Sequence, residues 1–334
     1  DLMKRALLGI LWLAAFLMAG PARGQEPPRI DVAFLIDATG SMGDEIDAVK
    51  EKIQDMISDI ALGDPAPDVR FGIVAYRDRG DEYVTVVYEL TDDIDRIIDN
   101  LSRIEANGGG DYPESLVEAL HVTIHDLNWD RGEGVSRLVF LIADAPPHLD
   151  YAGDYDYVEE YQMAEEMGMA IHAIGASGLD QEGEKIFTEI AEGTGGGFQW
   201  LAYESRYVDQ DGEEVIVVIE GRTATYSKGD STWTVEDGGM GGIRLGGAIG
   251  YEEDGAFFGP EAAVDKAFDD VGGVVPTMAS GGAGAAASAV ETSTNLADLV
   301  TGAVREAAEE KGVDYGVTTA VEEASWGEIK KQER

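Results

Sequence analysis

The sequence contains no cysteine. That absence excludes a disulfide framework, a thiolate zinc site, an iron–sulfur cluster and a cysteine nucleophile. Basic residues are scarce: 24 Lys and Arg stand against 66 Asp and Glu, a formal net charge of −42. Phosphate backbones and anionic lipid surfaces repel such a chain, so neither nucleic acid nor strong membrane contact is expected. The acids are spread along the chain and not gathered in a tail, which fits a solvated acidic surface. Long apolar runs are missing beyond the first twenty residues, so no later segment is expected to span a bilayer.

The one apolar run, Ala6 to Ala19, follows the basic Met3-Lys4-Arg5 and precedes the small residues of Ala22-Arg23-Gly24. This is the layout of a secretory signal peptide cleaved after Gly24. We expect residues 1–24 to be removed and the protein to be secreted, or held in the periplasm or cell envelope. Their loss removes three basic residues and one acidic one, leaving the remainder more acidic still. No cysteine follows the run, which excludes a cysteine-linked lipid anchor.

Hydrophobic residues make up 44% of the chain, enough to bury a sizeable core. Residues 25–29 read as a polar linker. Ile30 to Ile36 is nearly continuous in apolar residues, the mark of a strand covered on both faces of a parallel sheet. A helix over 44–62 follows, with Ile46, Val49, Ile53, Met56 and Ile60 at spacings of three and four. Strands are expected at 69–76, 83–90, 137–143, 169–174 and 197–201. The third is more alternating, as an edge strand is. Helices carrying Ile94 to Ile104, Leu116 to Leu127, residues 157–167 and 181–192 lie between them. This alternation predicts an α/β fold with a doubly wound, mostly parallel, six-stranded sheet.

The pattern changes after residue 202. Tyr207 to Tyr226 reads as a β-hairpin turning at Asp211-Gly212. Residues 237–290 are rich in Gly and Ala and suggest no regular fold. Helical periodicity returns over 292–312 at Leu296, Leu299, Val300, Ala303, Val304 and Ala307, after a Thr/Ser/Asn cluster at 292–295 that reads as a cap. We therefore read one domain over 30–202, a β-rich and Gly-rich insertion over 203–291, the domain's final helix over 292–312 and a polar tail over 313–334.

The strongest chemical signal is Asp37-Ala38-Thr39-Gly40-Ser41, directly after the first core strand. A carboxylate and two hydroxyls alternate there, and a loop at a strand's carboxyl end lets all three converge on one point. Hard cations such as Mg²⁺ prefer oxygen ligands. Asp144 directly follows the strand ending at Ala143. In an open doubly wound sheet, ligands bind beyond the carboxyl ends of strands where the winding reverses. Two carboxylates ending two core strands there make a metal site, whereas turn capping is an expensive use for them.

These residues resemble the metal-ion-dependent adhesion site of von Willebrand factor A domains, whose pattern is Asp-x-Ser-x-Ser, a later Thr or Asp, and an Asp after the fourth strand. Asp37, Thr39 and Ser41 match the first part, with Thr39 keeping the hydroxyl of the replaced Ser. Leu141-Ile-Ala-Asp-Ala-Pro-Pro-His148 resembles the fourth-strand ending. Gly108-Gly-Gly-Asp-Tyr-Pro-Glu114 is similar to the branch shared by hemicentins and alpha-kinase-associated A domains, and lacks the Thr of integrin-type domains. The third ligand is then Asp111 first and Glu114 second; Asp111 also reads as a helix N-cap with Glu114 as its capping-box partner. The resemblance implies a divalent metal, Mg²⁺ first with Ca²⁺ or Mn²⁺ as alternatives, and an open coordination position. An Asp or Glu of a protein partner would fill it, giving metal-dependent adhesion without catalysis.

Other signals are weaker. Arg79-Gly80-Asp81 is a three-residue match of the sort that arises by chance. His121 and His125 lie four apart on a helix, but Val122 stands where a zinc peptidase needs Glu. His148 reads as turn packing or as a ligand contact. Two rival functions remain: a structural envelope protein assembling through its acidic, Gly-rich insertion, and a phosphatase of the haloacid dehalogenase type. The latter needs a general acid where Thr39 stands.

Overall fold

The computed structural model describes residues 29–61, 68–110, 112–132, 134–208, 214–221, 223–229, 231–236, 251–253, 256–258 and 291–311. The expected signal peptide, nearly all of the expected linker, Asp111, most of the Gly-rich segment and the polar tail lie outside these residues. Among the described residues, no helix is long and apolar enough to cross a membrane.

The central sheet has six strands in the order β3-β2-β1-β4-β5-β6. They are β1 (Arg29–Asp37), β2 (Asp68–Tyr76), β3 (Thr85–Thr91), β4 (Ser136–Ala143), β5 (Met169–Gly175) and β6 (Phe198–Trp200). All neighbours pair in parallel except β2 and β3. The alternating β3 is the antiparallel edge. Its exposed and half-buried residues contrast with β1, where every residue after Arg29 is buried.

The continuous apolar character of β1 and β4 follows from the two-residue period of a strand. Ile30, Val32, Phe34 and Ile36 join Leu138, Phe140 and Ile142 in a core on one face. Ala33 and Leu35 join Val139, Leu141 and Ala143 in a core on the other. The first face is covered by α1 (Gly43–Ala61), α2 (Ile94–Ser102) and α6 (Leu296–Glu310). The second is covered by α3 (Leu116–His125), α4 (Tyr157–Glu166) and α5 (Gln181–Gly193). At the opposite end from the candidate site, Arg70 donates two hydrogen bonds to buried Asp31 at 2.8 and 2.6 Å, which pairs that carboxylate fully.

The single hairpin expected after residue 202 is part of a larger antiparallel sheet, ordered β10-β9-β8-β7-β13. Its strands are β7 (Ala202–Val208), β8 (Glu214–Glu220), β9 (Thr223–Lys228), β10 (Ser231–Glu236) and β13 (Glu291–Thr294). A separate two-stranded ribbon pairs β11 (Tyr251–Glu253) with β12 (Ala256–Phe258). The expected Thr/Ser/Asn cap at 292–295 is strand β13 in its first three residues. Asn295 holds the N-cap position without a capping bond from its side chain, and Thr294 Oγ1 of the same cluster accepts from Leu296 N at 3.2 Å. The Asn295 side chain accepts from Ala202 N at 2.8 Å and donates to Trp200 O at 3.1 Å. It thus ties the start of α6 to the β6–β7 junction, which brings the chain back to the central sheet. Leu296, Val300 and Val304 of α6 are buried in the same core as Phe34 and Ile36.

Candidate metal centre

The winding reverses between β1 and β4, which are adjacent although α1, β2, β3, α2 and α3 intervene in sequence. Asp37 ends β1 and Asp144 follows β4, so both carboxylates stand at this switch point. Ala38 anchors the loop between Asp37 and Thr39. Its N–H donates to Tyr76 O at 2.8 Å, and its carbonyl accepts from Asn107 N at 3.0 Å and Arg77 Nε at 3.1 Å. A short 3-10 turn over Gly40–Met42 then brings Ser41 back over the strand ends.

Four of the five expected ligands form one chain of oxygens. Thr39 donates from its N–H and its hydroxyl to Asp37 Oδ1 at 2.9 and 2.7 Å. Ser41 Oγ donates to Asp144 Oδ1 at 3.0 Å, and the two hydroxyl oxygens lie 2.9 Å apart. Three short O···O contacts therefore share only two hydroxyl hydrogens when both carboxylates are ionised. Either a proton on a carboxylate or a cation among the oxygens makes up the deficit. Asp111, the fifth, lies outside the described residues.

Glu114 is buried beside them. Its backbone bridges to Pro147 across the crevice: Glu114 N donates to Pro146 O at 3.0 Å and His148 N to Glu114 O at 2.9 Å. The Gly108–Gly110 loop closes over Thr39 and Gly40, with Gly40 N donating to Gly108 O at 3.0 Å. A Cβ on Gly109 would lie 2.8 Å from both Glu114 Oε1 and Thr39 Cβ, so Glu114 reaches the Thr39 end of the cluster.

The electrostatics reflect acids without matching cations. Burial, then the charge of Asp144, pushes the Asp37 carboxyl up to about 7. Burial, then Asp37, Asp78, Asp144 and Asp81, pushes Glu114 up to about 10. Glu114 Oε2 is buried and finds no hydrogen-bond partner. Asp37 Oδ2 and the Tyr76 hydroxyl, paired across the sheet, are buried without a well-aligned hydrogen bond, although the hydroxyl lies close enough to the Asp37 carboxyl to oppose part of the rise in its pKa. Orphaned buried oxygens in a site of oxygen donors fit a hard divalent cation, which would offset the clustered charge. Tyr76 was not singled out in the sequence, although it ends a core strand at the same edge as Asp37.

A second layer supports the rim. Asp78 is buried and accepts from Ser115 Oγ at 2.7 Å and from the Tyr151 hydroxyl at 2.8 Å. His148 stacks on Tyr151 at 4.0 Å and pairs with Asp150 at 2.8 Å, both within its own turn. Arg79 lies over the Tyr151 ring at 4.4 Å and pairs with Asp154 at 3.1 Å. Asp81 accepts from Gly109 N at 2.9 Å and Asp78 N at 3.2 Å. In the largely exposed Arg79-Gly80-Asp81 tripeptide, the side chains of Arg79 and Asp81 are thus engaged by neighbours within the fold, and Asp81 ties the turn to the glycine loop.

Residues 31–198 match the family model of the von Willebrand factor A domain. With the six-stranded sheet and the oxygen cluster at its switch point, the chain belongs to the von Willebrand factor A domain family. It is 34% identical over 97 residues to human (Homo sapiens) von Willebrand factor A domain-containing protein 7, covering 29% of this chain and 10% of that protein. It is 29% identical over 122 residues to the alpha-protein kinase vwkA of Dictyostelium discoideum, covering 36% and 19% respectively. The chain therefore spans only a small part of these relatives. Among solved structures, proximal thread matrix protein 1 from the mussel byssus, with a zinc-occupied metal-ion-dependent adhesion site, is similar over 52% of this chain and 42% of that one, at 18% identity and a TM-score of 0.42.

Proposed function

We propose that this is an exported, non-catalytic binding module that holds a divalent cation and engages a carboxylate of a protein partner through it. The observation that carries the reading is the proton-deficient chain of Asp37, Thr39, Ser41 and Asp144 at the switch point, with the buried, unpartnered Glu114 Oε2 beside it. These residues would hold the ion, with Asp111 from the glycine loop, and Mg²⁺ is the first candidate, then Ca²⁺ or Mn²⁺. When bound, the ion supplies positive charge and an open position for an Asp or Glu of the partner. The chain's own part is to fix the oxygens by buried hydrogen bonds and to shape the rim with Gly109, Tyr151 and His148. Thr39 stands where a phosphatase of the haloacid dehalogenase type needs a carboxyl general acid, so the first loop offers no proton donor to a leaving group.

Calorimetric titration of residues 25–334 with Mg²⁺, Mn²⁺ and Ca²⁺ tests the site. We expect one site in the wild type that Asp37→Ala abolishes, together with capture of a partner in the presence but not the absence of Mg²⁺. Equal binding by both proteins would mean that the ions decorate the acidic surface, and the reading would fail. Export rests on the basic, apolar and small-residue succession of residues 3–24. N-terminal sequencing of the native protein should begin at Gln25; a retained Met3 would remove this part of the reading.

A further inference from the structure

A second group of ligating side chains lies between α3 and α4. His121 and His125 are one turn apart on α3, so their imidazoles share a face, with ring centroids 4.4 Å apart. Glu160 of α4 reaches between them from a buried position. Its Oε1 lies 3.0 Å from His121 Nδ1 and its Oε2 3.2 Å from His125 Nε2. One ligand atom from each of the three residues falls within 4.8 Å of the others. We propose that His121, His125 and Glu160 form a second metal site, selective for an ion of the Zn²⁺ type.

Three features support it. The first is spacing: a tetrahedral ion with bonds of about 2.0–2.1 Å sets its ligand atoms roughly 3.3 Å apart. Each imidazole nitrogen already stands near that distance from one Glu160 oxygen, His121 from Oε1 and His125 from Oε2, so the carboxylate would face the ion with both oxygens or turn slightly to offer one. The second is donor chemistry. Two imidazoles and one carboxylate suit Zn²⁺, whereas the all-oxygen cluster at the switch point suits Mg²⁺ or Ca²⁺, so the two sites would sort ions by ligand type. The third is preorganisation with access. Tyr155 stacks on His121 at 3.6 Å and 6°, which holds that ring in place. The two histidine side chains keep 26% and 33% of their surface, which leaves room for a water or an outside ligand at the fourth position. Val122, which rules out a zinc peptidase helix, does not bear on this site, because the carboxylate comes from the neighbouring helix. An ion here would pin α3, whose preceding segment carries Glu114, to α4, whose preceding segment carries His148 and Tyr151.

The chain has only four histidines, so its imidazole signals can be assigned one by one in a nuclear magnetic resonance spectrum. Zn²⁺ is added to residues 25–334 in excess Mg²⁺, which occupies oxygen-only sites. We expect one equivalent to shift the His121 and His125 signals and leave those of His148 and His172. Asp37→Ala should keep this response, and His125→Gln should abolish it. Glu160→Gln, which keeps both imidazoles, should weaken Zn²⁺ about tenfold or more by equilibrium dialysis, and serves if the histidine variant does not fold. Zn²⁺ that leaves both signals in place, or binds equally to wild type and Glu160→Gln, would show that Glu160 only bridges two histidines by hydrogen bonds, and would overturn the proposal.

Discussion

At the scale of single residues, the candidate centre is governed by atoms that lack partners. Two hydroxyl hydrogens cannot serve three oxygen contacts, and Glu114 Oε2 has no hydrogen-bond partner. Such a cluster keeps its shape only if something packs against it, and Gly109 does so by having no side chain. Its φ is +69°, a conformation that costs other residues of order 1 kcal/mol. A methyl group there would also press on Glu114 Oε1 and Thr39 Cβ at 2.8 Å. Both Thr39 and the glycine loop are held by backbone contacts, so the neighbours have little room to give. We expect Gly109→Ala to destabilise the domain by about 1–3 kcal/mol and to weaken Mg²⁺ at least tenfold. Chemical denaturation and calorimetry measure the two effects; unchanged Mg²⁺ affinity would show that the loop does not form part of the site.

At the scale of elements, the legible parts were those where burial dictates residue type. Both faces of β1 and β4 are covered, so their sequences are nearly continuous in apolar residues, and Asp37 ends the one while Asp144 follows the other, at the crevice. The antiparallel edge showed in the alternation of β3. What stayed hidden was set by partners distant in sequence. The Thr-Ser-Thr run before α6 reads locally as a cap, because short hydroxyl side chains favour helix starts. It is also a strand, because β7, some ninety residues earlier, offers it an edge to pair with, and only Thr294 serves the helix as well, accepting from Leu296 N. Asn295 likewise spends its side chain on Trp200 and Ala202 instead of its own helix. The five-stranded sheet was seen only as one hairpin, since β9 and β10 carry Thr, Ser and Tyr in place of a clear apolar alternation. Glu160 could not be joined to His121 and His125 from spacing, because α4 packs on α3 only after β4 has crossed between them.

At the scale of the whole molecule, the net charge of −42 makes any additional ionised carboxylate costly, and the centre concentrates that cost. The consequence for stability has a definite sign. The Asp37 carboxyl sits at about 7 in the fold against an ordinary value of 3.8, and Glu114 at about 10 against 4.5. Between those limits the folded chain binds more protons than the unfolded one, so stability falls as pH rises. The contribution of Asp37 is complete below about pH 4 and lost as pH passes about 7, while that of Glu114 declines up to about pH 10. His172, whose imidazole is lowered by burial, acts in the opposite direction near pH 6.5, so the comparison must isolate the carboxylate. Asp37→Asn does this by removing the charge and keeping the shape. Without metal, we expect the wild-type melting temperature to drop relative to Asp37→Asn between pH 5 and pH 8. Mg²⁺ should reverse that drop, because it competes with the same protons, and at one hundred times its dissociation constant it adds about 2.7 kcal/mol. The stabilisation by Mg²⁺ should therefore grow with pH in the wild type and vanish in the variant. Parallel melting curves for the two proteins across this range would mean that Asp37 does not titrate there, and an equal Mg²⁺ effect on wild type and variant would mean that it is not a ligand.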